Sequence, residues 1–157
     1  MKRSIYLDAT IPSHYFDERE SIKNFIEITR KWWEFERDYY DLFISEATIA
    51  EIQTGVYPKQ DQVFKLIEKI DILVLNDDIE DIVKVYIKEF VMPKKKFGDA
   101  YHLAIASYYK IDFLLTWNCD HLANANKRQH IASVNLRLGL FVPEMVTPMQ
   151  LFQEKGK

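Results

Sequence analysis

Three carboxylates and one amide stand beside short apolar runs. They are Asp8 after Ile5-Tyr6-Leu7, Glu51 in Ile49-Ala50-Glu51-Ile52, Asp99 in Phe97-Gly98-Asp99-Ala100, and Asn118 after Leu114-Leu115-Thr116-Trp117. A carboxylate next to core-forming sequence is costly unless something compensates its charge. A divalent cation is the simplest compensation, because hard ions such as Mg2+ take oxygen ligands and keep several waters. Each residue also has a plainer role open to it. Asp99 after Gly98 is a competent helix N-cap, and Asn118 can cap a helix that follows it. Glu46, at a helix start, complements the helix dipole and reads as structural. Glu51 resists such a role, lying between Ala50 and Ile52 in a largely apolar helix. Asp99 shares a helical face with Leu103 and Ala106, so it points toward packing.

The elements that must position these residues alternate. Ser4 to Asp8 reads as a first strand, after which Pro12 opens a turn or short helix. Ile22, Phe25, Ile26, Thr29, Trp32 and Trp33 recur at helical spacing, predicting a long amphipathic helix from about Ser21 to Asp38. Asp41 to Ser45 is a second strand, and Ser45 caps a helix running through Glu51 that Gly55 stops. After Pro58 comes a helix with Val63, Leu66, Ile67 and Ile70 on one face, then a buried-strand pattern at Ile72 to Leu75. Asn76 to Val91 is helical and ends before Pro93. A further helix runs from Gly98-Asp99 to Lys110, with a small-residue face suited to packing on a sheet. Ile111 to Thr116 is a fourth strand, followed by a short helix, a longer one near Lys127 to Leu138, and a candidate strand at Glu144 to Thr147. The expectation is an α/β fold with a central, mostly parallel sheet of four to five strands flanked by helices. In such sheets the site lies beyond the carboxyl ends of the strands. Asp8 and Asn118 would sit there directly, and Glu51 and Asp99 on following or neighbouring helices.

At 157 residues the chain has the size of one domain, with 48% hydrophobic and 29% charged residues. Residues 1–150 read as the folded domain and 151–157 as a C-terminal tail. The apolar runs are too short and too interrupted to span a bilayer, and no signal-peptide apolar region follows Met1, so a cytoplasmic protein with no membrane partner is expected. Cys119 is the only cysteine, which excludes an internal disulfide and a Cys-pair zinc site. Net charge is -3, so no basic stripe advertises nucleic acid. The basic residues are local: Lys94-Lys95-Lys96 before Asp99, Lys127-Arg128 after Asn118, and Lys2-Arg3 at the start. Each flanks a candidate site segment and can form a phosphate-attracting rim. Trp32, Trp33 and Phe35 give their helix more aromatic surface than one stripe needs, which predicts a homodimer.

Taken in order, these segments resemble the PIN-domain nucleases, especially the stand-alone proteins grouped with VapC-type toxins. The resemblance runs through Ile5-Tyr6-Leu7-Asp8-Ala9-Thr10, Phe43-Ile44-Ser45 to Ala50-Glu51-Ile52-Gln53-Thr54-Gly55, and Gly98-Asp99-Ala100-Tyr101-His102-Leu103-Ala104-Ile105-Ala106. It ends in Leu114-Leu115-Thr116-Trp117-Asn118 with His121-Leu122, while Asn135 to Gly139 and Val146-Thr147-Pro148 are similar to one subgroup. The resemblance implies a PIN-like domain with metal-dependent endoribonuclease activity through Mg2+ or Mn2+, an RNA substrate, and a cognate antitoxin. Asp8, Glu51 and Asp99 match the three core acids. Asn118 stands where the family usually has aspartate; its amide supplies one oxygen and no charge, and Asp120 is a candidate to compensate. Thr10 and Thr116 match hydroxyl positions that orient carboxylates. His102 recurs in the subgroup and reads more simply as a satisfied helix histidine.

Other enzyme classes fit poorly. A haloacid-dehalogenase-type phosphatase needs a second aspartate where Thr10 stands, and a response-regulator receiver needs an acidic pair at the first strand. The four glycines form no phosphate-cradling loop. The alternative is a PIN fold kept as an RNA-binding or protein-interaction module with weak or no catalysis.

Overall fold

Strands β1 (Arg3–Leu7), β2 (Tyr40–Ser45), β3 (Asp71–Leu73), β4 (Phe113–Leu115) and β5 (Glu144–Val146) pair in parallel, in the spatial order β3-β2-β1-β4-β5. The computed structural model describes residues 1–93 and 97–154. Helices α1 (Thr10–Tyr15), α2 (Lys23–Phe35), α3 (Glu46–Gln53), α4 (Gln60–Ile67), α5 (Asp77–Lys88), α6 (Phe97–Tyr108) and α7 (Ala125–Arg137) cover the sheet. No helix among the described residues is long and apolar enough to cross a membrane.

The central strand divides the core by its period of two. Ile5 and Leu7 join Ile11, Trp32, Ile52 and Val63 on one side; Tyr6 joins Ile79, Tyr86, Leu103 and Ile131 on the other. All three strand residues are fully buried. Both sides of β1 are core, so a one-residue slip would still bury these side chains but would carry the Tyr6 hydroxyl away from Ser45, Thr48 and His102, at about 1–3 kcal/mol for a buried polar group left unmatched. Register therefore determines on which side of the sheet the Tyr6 phenol lies. Buried Asn135 ties α7 to α6 and α5 through Ser107 (2.9 Å) and Tyr86 (2.6 Å), and burial pushes the Tyr86 hydroxyl up to about 12.

Several sequence expectations are corrected. The predicted Ser21–Asp38 helix is regular only over Lys23–Phe35, with 3-10 turns at Glu20–Ile22 and Arg37–Tyr39. Ile72 to Leu75 is not a buried strand: β3 is an edge strand, and Ile72 and Val74 are exposed. The short helix expected after Thr116 is a turn, closed by Leu122 and Ala123 N–H groups on the Asn118 carbonyl. Trp32 and Trp33 are buried in their own core, where the Trp32 indole donates to the Leu151 carbonyl at 3.2 Å. Only Phe35 of that aromatic set is exposed, so the surface that motivated a homodimer is largely internal.

Candidate active site

The carboxyl ends of the strands bring the four singled-out residues to one edge of the sheet. Asp8 immediately follows β1 and is 2% exposed. Its Oδ1 accepts the Thr10 N–H at 3.0 Å and the Thr10 hydroxyl at 2.5 Å, and its Oδ2 accepts the Thr116 hydroxyl. Thr10 opens α1 just past β1 and Thr116 follows β4, the strand paired with β1, so the segments leaving two adjacent strands supply the two hydroxyls. The Thr10 Oγ1 also accepts the Trp117 N–H at 3.0 Å, and Thr116 Oγ1 accepts the Asn118 N–H at 2.9 Å. Burial raises the Asp8 pKa to about 6; His102 and the two threonine hydroxyls oppose the rise, and Glu51 adds to it.

Glu51 arrives on α3, whose start is set by a capping box: the Ser45 side chain accepts the Ala47 and Thr48 N–H groups. Its Oε1 meets His102 Nε2 at 2.6 Å. His102 is 1% exposed, and its Nδ1 meets the Tyr6 hydroxyl at 2.5 Å. That hydroxyl also meets Ser45 Oγ at 2.7 Å and Thr48 Oγ1 at 3.2 Å. Burial acts to lower the His102 pKa, but Tyr6, Glu51 and Asp8 outweigh it and hold the pKa well above the ordinary value. Asp8, Glu51 and His102 thus form one electrostatic group.

Asp99 lies inside the first turn of α6, which begins at Phe97, so the N-cap role open to it in the sequence is corrected. Its Oδ2 accepts the Asn118 Nδ2–H at 2.8 Å. Asn118 Oδ1 accepts the Asp120 and His121 N–H groups at 3.1 Å each, so this side chain both caps its turn and reaches the acid. Asp120 is exposed. Lys127 stands near Asp99: partial burial lowers its pKa, and the Asp99 charge opposes that shift. Arg128 instead reaches the Met145 carbonyl at 3.5 Å, on β5. Lys94, Lys95 and Lys96 lie outside the described residues. Glu46, left as structural, accepts the Leu75 N–H at 2.9 Å.

Among the described residues no three His, Cys, Asp or Glu side chains stand close enough to hold one ion between them. Asp8 and Glu51 group around His102, while Asp99 faces Asn118. Sequence reasoning gave no site role to Tyr6 and Thr48 and gave Ser45 only its helix cap, yet all three lie beneath the acids; the one signal available for Tyr6 was a phenol in a core strand two residues before Asp8.

A PIN domain family model matches residues 5–127, from β1 into α7. No curated protein matches the chain. Among solved structures, a toxin-antitoxin complex from Klebsiella pneumoniae is similar with a TM-score of 0.59 at 18% identity, covering 92% of this chain and 97% of that one. VapBC-1 from nontypeable Haemophilus influenzae gives 0.57 at 17% identity, with 93% and 98% covered. VapC20 from Mycobacterium tuberculosis, a sarcin-ricin loop cleaving toxin, gives 0.56 at 11% identity, with 74% and 92% covered. At such identities the likeness to these structures is one of fold. The match to the family model spans all four candidate site residues, and the chain belongs to the PIN-domain family.

Proposed function

We propose that this protein is a metal-dependent endoribonuclease, the toxin of a toxin-antitoxin pair, with Asp8, Glu51 and Asp99 as its catalytic acids. The observation that carries the reading is Asp8, a buried carboxylate at the end of the central strand, aimed by two hydroxyls and with its pKa raised by burial to about 6. A carboxylate so placed is short of positive charge. Carboxylate oxygens are the ligand type a hard divalent ion such as Mg2+ or Mn2+ takes; since no three of these groups among the described residues stand close enough to hold one, binding would draw Glu51 and Asp99 in toward Asp8. When bound, such an ion supplies a water of lowered pKa and polarises a phosphoryl oxygen.

The protein's own groups divide the remaining work. Thr10 and Thr116 hold Asp8 in one orientation. Asn118 orients Asp99, and Lys127 places a cation beside that acid, suited to a phosphate of the incoming strand. The similar toxin-antitoxin complex from Klebsiella pneumoniae supports a cognate antitoxin as the protein partner.

A second reading, a PIN fold with weak or no catalysis, is favoured by one observation. Asn118 adds no negative charge and donates to Asp99, so the acids stand as separate groups. A metal-titrated cleavage assay on RNA separates the readings. Mn2+-dependent product that is lost in Asp8→Asn, Glu51→Gln and Asp99→Asn supports the nuclease, whereas RNA binding without product supports the module.

A further inference from the structure

We infer that His102 is a positioning residue that holds the Glu51 carboxylate in place, and that Tyr6 anchors His102 for that task. The inference rests on the nuclease reading for its consequence, metal binding, but on contacts alone for its existence. His102 is buried and both ring nitrogens are engaged, one by Tyr6 and one by Glu51, so it does not reach a substrate. The Glu51 side chain, by contrast, is 39% exposed. A hydrogen-bonded line therefore runs from the core, through Tyr6 and His102, to a carboxylate that opens to solvent.

Two further observations converge on the same carboxylate. Gly98 and His102 lie one turn apart on α6, on one face. A Cβ built at Gly98 would overlap Glu51 Oε1, so the carboxylate lies against the α6 backbone, with glycine as the floor of its slot and His102 as its clamp. The Tyr6 hydroxyl also contacts Ser45 and Thr48, the residues of the box that starts α3. One phenol thus ties both the start of α3 and, through His102, the acid that α3 carries. No buried side-chain nitrogen or oxygen among the described residues lacks a partner, so the network is fully satisfied. Replacing a whole buried polar network by apolar residues of similar volume is often neutral for stability. What they would not replace here is the hold on Glu51.

The test uses the full-length, metal-free protein. Wild type, Tyr6→Phe, His102→Gln and Gly98→Ala are titrated with Mn2+ by calorimetry, and the His102 ring nitrogens are followed by NMR in wild type and Glu51→Gln. His102→Gln and Gly98→Ala are expected to weaken Mn2+ binding about 10- to 100-fold, the usual effect of losing a group that orients a ligand, with Tyr6→Phe in the same direction. The His102 Nε2 signal is expected to move in Glu51→Gln. Gly98→Ala keeps the reading testable if His102→Gln fails to fold, because it removes nothing from the core. Wild-type Mn2+ affinity in both His102→Gln and Gly98→Ala would overturn the inference. Should wild type bind no Mn2+, the metal reading fails, and the NMR result decides alone. A His102 signal that ignores Glu51→Gln would then overturn the positioning role, and one that moves would uphold it.

Discussion

Asn118 donates from its amide nitrogen to Asp99 at 2.8 Å, while its amide oxygen caps the turn through the Asp120 and His121 N–H groups. Aspartate at this position can keep the cap but not the donation. Asn118→Asp would therefore set two carboxylates within hydrogen-bond distance of one another. Without metal this should cost about 1–3 kcal/mol, the scale of a lost partner for a buried or charged acceptor. Divalent metal should bind more tightly to the added charge and restore the loss. Melting temperature against Mn2+ concentration checks this: the variant starts below wild type and gains more with metal. Parallel curves would leave Asn118 as a turn cap only.

Asp8 predicts a pH dependence of stability. Its folded pKa of about 6 lies above its unfolded value near 3.8, because burial penalises the charged form. Stability linked to the protonated carboxyl is fully present below about 3.8 and is lost as pH rises through about 6. At 1.36 kcal/mol per unit, the loss is on the order of 3 kcal/mol. Asp8→Asn, which does not titrate, should gain on wild type across that window in the absence of metal. Urea unfolding at about pH 4 and about pH 7.5 reads the difference. An unchanged gap between the two proteins would mean that burial does not set the Asp8 charge.

Thr116→Val should impair both fold and site. Thr116 is fully buried, donates to Asp8 and accepts from the Asn118 backbone. Valine fills the same space but leaves both groups unmatched, which should cost about 1–3 kcal/mol. Cleavage should fall more than stability does, since Asp8 loses one of the two hydroxyls that aim it. Thermal melts and cleavage rates for Thr116→Val and Thr116→Ser decide the point. Serine keeps the hydroxyl and should retain most of the activity.

Lys127→Gln should weaken binding of single-stranded RNA with little effect on stability. A phosphate contact by this lysine contributes about 0.7 to the slope of log affinity against log salt. The variant should show a slope shallower by about that amount, in metal-free binding measured by fluorescence anisotropy. An unaltered slope would place Lys127 outside the path of the strand.

How much of this site the sequence carried depends on the range of the interactions. The strand-helix alternation, the capping role of Ser45, and the stop at Gly55 are local, set by side chains a few residues apart, and were legible as such. The placement of Asp8 at a strand end followed from parallel topology, because a parallel sheet collects its strand ends on one edge. The partners across the fold were not legible. Apolar periodicity says that Trp32, Trp33 and Ile72 face something, but strand order decided that the tryptophans are covered and that Ile72 lies on an open edge. Tyr6, Glu51 and His102 lie on three elements far apart in the chain, and nothing local marks them as one network. Only the pairing of β1 between β2 and β4, with α3 and α6 brought together over its end, sets a phenol beneath an imidazole and that imidazole against a carboxylate.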